Sequence, residues 1–122
     1  MKNGKRYFLD IATGEEFSME ADENENDLLV VGRYRFSRHS FEKAIGILSS
    51  VIDRPGWLII DEIGPLELRD QGFSGILKEI LARRKHKCLL VIRQSLKQEI
   101  LDHFSIDPAA VKFSAKDIYS YI

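Results

Sequence analysis

The spacing of apolar positions along this chain changes several times, and each change marks an expected element. Residues 57–60 (WLII) and Cys88–Ile92 (CLLVI) are apolar runs without alternation. Runs of this kind suit strands buried on both faces, as in parallel sheets covered by helices. Elsewhere the spacing is three and four. Phe41, Ala44, Ile45, Leu48, Val51 and Ile52 make one helical stripe, with Ser37 as its N-cap and Pro55-Gly56 as its stop. Gly46 weakens that helix slightly. Phe73, Ile76, Leu77, Ile80 and Leu81 make a second stripe over residues 73–84. Leu96, Ile100, Leu101 and Phe104 make a third, and Ser95-Leu96-Lys97-Gln98 before it has the form of a capping box.

The remaining segments are shorter. Residues 7–11 read as a strand, Thr13-Gly14 as a turn, and residues 16–19 as the return strand of a hairpin. Residues 20–27, EADENEND, are acidic without apolar periodicity and read as a solvated loop, since metal-ligand spacing is missing. Residues 28–36 read as one strand, with Arg33 and Arg35 on one face and Tyr34 and Phe36 on the other. Two arginines on a strand face suit a phosphate or simply an exposed face. After the third helix, Asp107-Pro108 marks a turn. Residues 111–113 read as a last strand, and Ser114 with Asp117 as a cap for a terminal helical turn.

The order is hairpin, strand, helix, strand, helix, strand, helix, strand. It predicts an α/β fold, a mostly parallel sheet with helices on both faces and right-handed crossovers. One domain is expected over residues 1–122, with the hairpin and acidic loop in 1–27 and the core in 28–122. Composition fits: 44% apolar and 30% charged residues are ordinary for a globular chain. A net charge of −1 gives no general reason to expect nucleic acid or an anionic membrane as partner. The single cysteine, Cys88, excludes an internal disulfide and fits a reducing cytoplasm. The N-terminus lacks the apolar core of a signal peptide, and no apolar run reaches membrane-spanning length, so a cytoplasmic protein is expected.

Chemistry concentrates where the first apolar run meets Asp61-Glu62, with Gly64-Pro65 breaking the chain just after. Ligands of parallel sheets bind beyond the carboxyl ends of the strands, where this pair emerges. On an extended strand the two side chains should point in opposite directions, which does not suit a face-to-face acid pair. Phosphoryl transfer fits better: one carboxylate positions magnesium, directly or through water, and the next orients the attacking water. The competing reading is a polar strand exit with no chemistry. His39, His86 and His103 share no metal-ligand spacing. The run Arg83, Arg84, Lys85, His86, Lys87 reads as cations complementing a helix C-terminus rather than a nucleic-acid patch. Cys88 reads as a packing residue.

Residues 57–68, WLIIDEIGPLEL, followed by Phe73 and an amphipathic helix, closely resemble the Walker B region of the thermophile-type nucleoside-triphosphatase family. Residues 32–45, GRYRFSRHSFEKAI, resemble the strand and helix entry upstream of it, and the resemblance covers most of the chain, weakening after Ser95. It implies an additional-strand P-loop fold. It further implies that Asp61 serves magnesium, Glu62 activates water and Glu67 is the acidic position after the turn. Arg93 or Gln94, at the end of the Cys88–Ile92 run, falls where such enzymes place a phosphate-sensing residue.

The family's phosphate loop, G-x-x-x-x-G-K-[ST], has no counterpart in this sequence. The only Gly-Lys pair, Gly4-Lys5, is followed by Arg6. Without that loop the main β- and γ-phosphate contacts and the hydroxyl ligand of magnesium are missing. Two expectations follow. The chain keeps half of a nucleotide site and binds ATP or GTP, with magnesium, only when another polypeptide supplies the loop. Alternatively it is an inactive interaction domain. In either case the Cys88–Ile92 strand lacks its mid-sheet neighbour. Its edge is expected to be covered by the last strand, by a partner protein or by a second copy.

Overall fold

The computed structural model describes residues 5–84 and 87–107. Strands β1 (Tyr7–Leu9) and β2 (Glu16–Ser18) form the expected N-terminal hairpin, with Phe8 opposite Phe17. The chain after β2 stays extended. The Met19 N–H donates to the Arg6 carbonyl, the Met19 carbonyl accepts from the Ser37 N–H, and the Ala21 N–H donates to the Arg35 carbonyl. These bonds tie the first hairpin to the next. The acidic loop is organised by its own side chains: Asp22 accepts from the Asn24 and Glu25 amides.

Residues 28–36 are not one strand. They form β3 (Leu28–Val31) and most of β4 (Tyr34–Ser37), paired antiparallel around Gly32-Arg33. Gly32 has φ +57°, the left-handed conformation that a two-residue hairpin turn requires. Arg33 therefore sits in the turn and Arg35 on β4, so they do not share a strand face.

Helix α1 (Arg38–Val51) begins where expected, the Ser37 hydroxyl accepting from the Ser40 N–H at 3.2 Å. Its Phe41 and Ala44 are buried. Phe41 meets Phe8 edge-on at 5.0 Å between centroids and Phe73 at 5.3 Å, which joins the hairpin, α1 and the entry to the next long helix. That packing explains why β1 and β2, too short to be stable alone, are held.

Strand β5 (Leu58–Ile63) pairs in parallel with β6 (Cys88–Ile92). The short helix α2 (Pro65–Leu68) follows β5, then α3 (Ser74–Arg83), whose Ile76, Leu77 and Ile80 are buried as the stripe predicts. Leu81 packs against the core only in part. After β6 comes a 3-10 turn (Gln94–Leu96) and α4 (Lys97–His103), which buries Ile100 and Leu101. Leu96, not Ser95, is the N-cap of α4 and makes no side-chain cap. The 3-10 turn occupies Ser95 and displaces the expected capping box.

The sheet differs from expectation. The α/β class and a parallel sheet are present, but among the described residues that sheet is small, the single pair β5–β6, and it stands beside two separate antiparallel hairpins. Neither β5 nor β6 is buried on both faces: Ile59 is 36% exposed, Trp57 just before β5 is 54% exposed, and every residue of β6 is half-buried. With two strands and no described strand on either outer edge, too little backbone surrounds these apolar runs to enclose them. The expected strand at 111–113 and the turn at Ser114 and Asp117 lie outside the described residues. No described helix is long and apolar enough to cross a membrane.

The basic end of α3 serves a neighbour. Arg83 pairs with Glu79 and Asp53. Arg84 donates to the carbonyls of Ile52, Arg54 and Gly56, the segment that leaves α1, at 2.8, 3.0 and 2.6 Å. The cation thus satisfies carbonyls at the end of another helix rather than only complementing its own dipole.

Candidate functional site

At the carboxyl end of β5 the pairing with β6 shifts register. Asp61 lies opposite Val91 and Ile63 opposite Ile92, leaving Glu62 unmatched. One extra residue on a strand breaks the alternation of side chains. Asp61 and Glu62 are accordingly both exposed, and both line one cavity of about 840 Å³. The opposite-facing arrangement expected of a regular strand does not hold. Leu58, Ile60 and Ile63 stay buried and anchor the strand beneath the pair.

Arg93, one residue past β6, faces the same cavity, its Nε 3.6 Å from Glu62 Oε1. The Arg93 N–H donates to the Ile63 carbonyl at 3.1 Å, which fixes the end of β6 against the end of β5. Both side chains of the Glu62–Arg93 pair are nearly half exposed, and such pairs contribute about 0–1 kcal/mol. Either partner is therefore readily released to a ligand. Gln94 is exposed in the 3-10 turn and is not among the residues lining the cavity.

Glu67 differs from the other acids. It is only 3% exposed, on α2, and its carboxylate bridges two backbone amides. Oε1 accepts from the Gly64 N–H at 2.7 Å and Oε2 from the Phe73 N–H at 3.0 Å. Burial pushes its pKa up, the two backbone bonds oppose the rise, and the Glu62 charge adds to it. At the third position of α2, Glu67 makes the backward half of a capping box; Gly64 has no side chain to reciprocate. The loop that carries Asp61 and Glu62 is thereby closed onto the start of α3. The spacing from Gly64 to Glu67 was a readable signal for this bond. The bond to Phe73 was not, because it depends on the path of residues 69–72. Gly72 has φ +60°, and a Cβ there would collide with Glu67 Oε2.

The donor set suits magnesium in one respect. Mg²⁺ usually takes one or two carboxylates and completes its shell with water and substrate phosphates. Asp61 and Glu62, exposed at the ends of parallel strands, meet that requirement, and no group of three metal-binding side chains converges among the described residues. The burial of Cys88 raises its thiol pKa, as expected of a packing residue and not of a nucleophile.

The rest of the cavity wall is mostly apolar, with Asp10 and two arginines among its charged residues. Phe8, Met19, Tyr34, Leu48 and Ile59 line it with Arg6 and Arg33. The arginines came from a turn and a strand start that sequence reasoning did not bring to the acid pair; the hairpins carry them there.

A protein-family model described as NTPase matches residues 2–117. No curated protein and no solved structure matches the chain. With that match covering nearly all of the sequence, the chain belongs to the thermophile-type nucleoside-triphosphatase family that its DEIG segment resembles.

Proposed function

We propose that this chain provides the magnesium- and water-directing half of a nucleoside-triphosphate hydrolysis site. The observation that supports it is the convergence of Asp61, Glu62 and Arg93 at the carboxyl ends of two parallel strands, on one cavity of about 840 Å³. Asp61 holds magnesium, through water, once a nucleotide is bound. The ion, held there, would supply positive charge to offset that of the phosphates. The Glu62 carboxylate accepts a hydrogen bond from a water and orients it toward the terminal phosphorus. Arg93 interacts with the phosphate oxygens as charge shifts to the leaving group, and Gln94, outside the cavity lining, takes no direct part. Glu67 keeps the loop in place and does not touch substrate.

The sequence contains no G-x-x-x-x-G-K-[ST] loop, so the chain by itself binds nucleotide weakly and does not hydrolyse it. A strand and phosphate loop from another polypeptide complete the three-layer, P-loop-like sheet, pairing at the β6 edge. Residues 1–122 act as one domain of that assembly in the cytoplasm.

The second reading, an inactive interaction domain, draws on the exposed apolar residues Leu9, Ile11, Trp57 and Ile59, which a partner would cover without any chemistry. Titration with Mg-ATP and Mg-GTP separates the two, first with the chain alone and then with a polypeptide carrying the phosphate loop. Hydrolysis that requires the added polypeptide and is abolished by Glu62→Gln is expected. Association without nucleotide binding transfers the case to the second reading.

A further inference from the structure

The cavity that the acid pair lines also carries two arginines gathered on one tyrosine. The Arg6 guanidinium lies 4.0 Å from the centroid of the Tyr34 ring. Arg33 Cζ lies 5.2 Å from the same centroid, and its Nη2 donates to the Tyr34 hydroxyl at 3.3 Å. Tyr34 stacks in turn on Phe36, with 3° between the rings, and Phe36 is buried. The tyrosine is thus a platform fixed to the core, and it holds two cations at the cavity.

Stacking uses the face of a guanidinium and leaves its in-plane N–H donors free. Arg33 donates to the Tyr34 hydroxyl and Arg6 interacts with the same tyrosine, which leaves most of their N–H donors without a partner among the described residues. Neither guanidinium has a carboxylate partner among the described residues; Glu20, near Arg6, accepts from the Arg6 backbone N–H instead. Two adjacent cations with unfilled donors repel each other, and a ligand with two or more negative charges relieves that repulsion. The positive potential is felt by Tyr34, whose pKa both arginines lower, Arg33 most.

We propose that Arg6 and Arg33, held on Tyr34, form a metal-independent oxyanion site that binds a phosphate group of a small ligand in the cavity. The site is separate from the carboxylates: Arg6 and Arg33 come from the antiparallel hairpins, Asp61 and Glu62 from the parallel pair. A small ligand is favoured over a nucleic-acid strand because the arginines line a bounded cavity, and the chain as a whole carries net charge −1.

Calorimetric titration of the full chain with pyrophosphate, in EDTA, tests this without reference to hydrolysis. Saturable binding is expected for the wild type. Arg33→Gln, a change in an exposed turn, should weaken it about tenfold or more, as loss of charge-assisted hydrogen bonds does. Arg33→Lys should restore it only in part, since an ammonium lacks the planar fork. Arg6→Gln should match Arg33→Gln, with circular dichroism confirming that the variants fold. Asp61→Asn should bind pyrophosphate at least as tightly as the wild type. The proposal is overturned by absence of saturable binding, by unchanged binding in Arg33→Gln, or by loss of binding in Asp61→Asn. Tighter binding of a short single-stranded oligonucleotide than of pyrophosphate also overturns it.

Discussion

Glu67 Oε1 lies 2.7 Å from the Gly64 nitrogen, and through this bond a buried acid holds the loop that follows Asp61 and Glu62. The same carboxylate reaches Phe73 on its other oxygen, so residues 64 to 73 form a closed turn around one charge. Replacing Glu67 by Leu leaves two backbone N–H groups buried without partners. The expected loss is about 2–6 kcal/mol, at roughly 1–3 kcal/mol for each of the two unsatisfied donors, read from urea unfolding. Any nucleotide-dependent activity should fall as well, because the acid pair loses its support.

Glu67 also gives the stability a pH dependence. Its folded pKa is raised, by burial first, above the ordinary 4.5. Its contribution is therefore fully present below about pH 4.5 and declines as pH rises through the folded value. Wild type and Glu67→Gln, unfolded in parallel from pH 4 to 7, should differ most in the wild type's favour at the acid end. A difference that instead grows toward neutral pH would contradict this.

Gly72 meets two demands at once. At φ +60° an alanine is strained by about 1–2 kcal/mol, and its methyl group would drive the Glu67 carboxylate off the Phe73 N–H. Gly72→Ala should cost roughly 2–4 kcal/mol in all, the lost buried bond adding to the strain. In Glu67→Gln the cost should shrink, since the two residues share one contact and their effects are not additive. A double-mutant cycle measures the coupling.

Arg84 is expected to matter more than its position at the end of a helix suggests. It joins α3 to the exit of α1 through three short bonds to carbonyls. Arg84→Ala should destabilise by about 1.5–3 kcal/mol, and Arg84→Lys should recover little, because one ammonium does not span the same fork. Arg83→Ala, which removes exposed ion pairs, should change stability by less than about 1 kcal/mol.

The acid pair should separate by role if a phosphate loop is supplied. Asp61→Asn should weaken magnesium-dependent nucleotide binding. Glu62→Gln should leave binding nearly intact and reduce turnover about a hundredfold or more, the usual scale for losing a group that orients a reacting water. EDTA should reproduce the Asp61→Asn effect on binding, as measured with a fluorescent nucleotide. Equal effects of the two substitutions on binding would remove the division of labour.

Much of this fold was legible along the chain. Ser37 caps α1, the stripe of α3 buries Ile76, Leu77 and Ile80, and β5 and β6 lie where the apolar runs stand. These features depend on residues within a few positions of one another, so local spacing is sufficient to specify them. Family membership was also readable, because DEIG and its flanks form a contiguous pattern. What tertiary structure decided was everything set by a distant neighbour. Gly32 turns residues 28–36 into a hairpin whose partner strand is set by bonds to Met19 and Ala21. A register shift against β6 turns Asp61 and Glu62 toward one cavity. Glu67 meets the Phe73 N–H because residues 69–72 turn the chain back, and Arg6 reaches Tyr34 because two hairpins are joined. Spacing along a chain encodes which face of an element is apolar. It does not encode which other element meets that face, and the chemistry of this protein depends on those meetings.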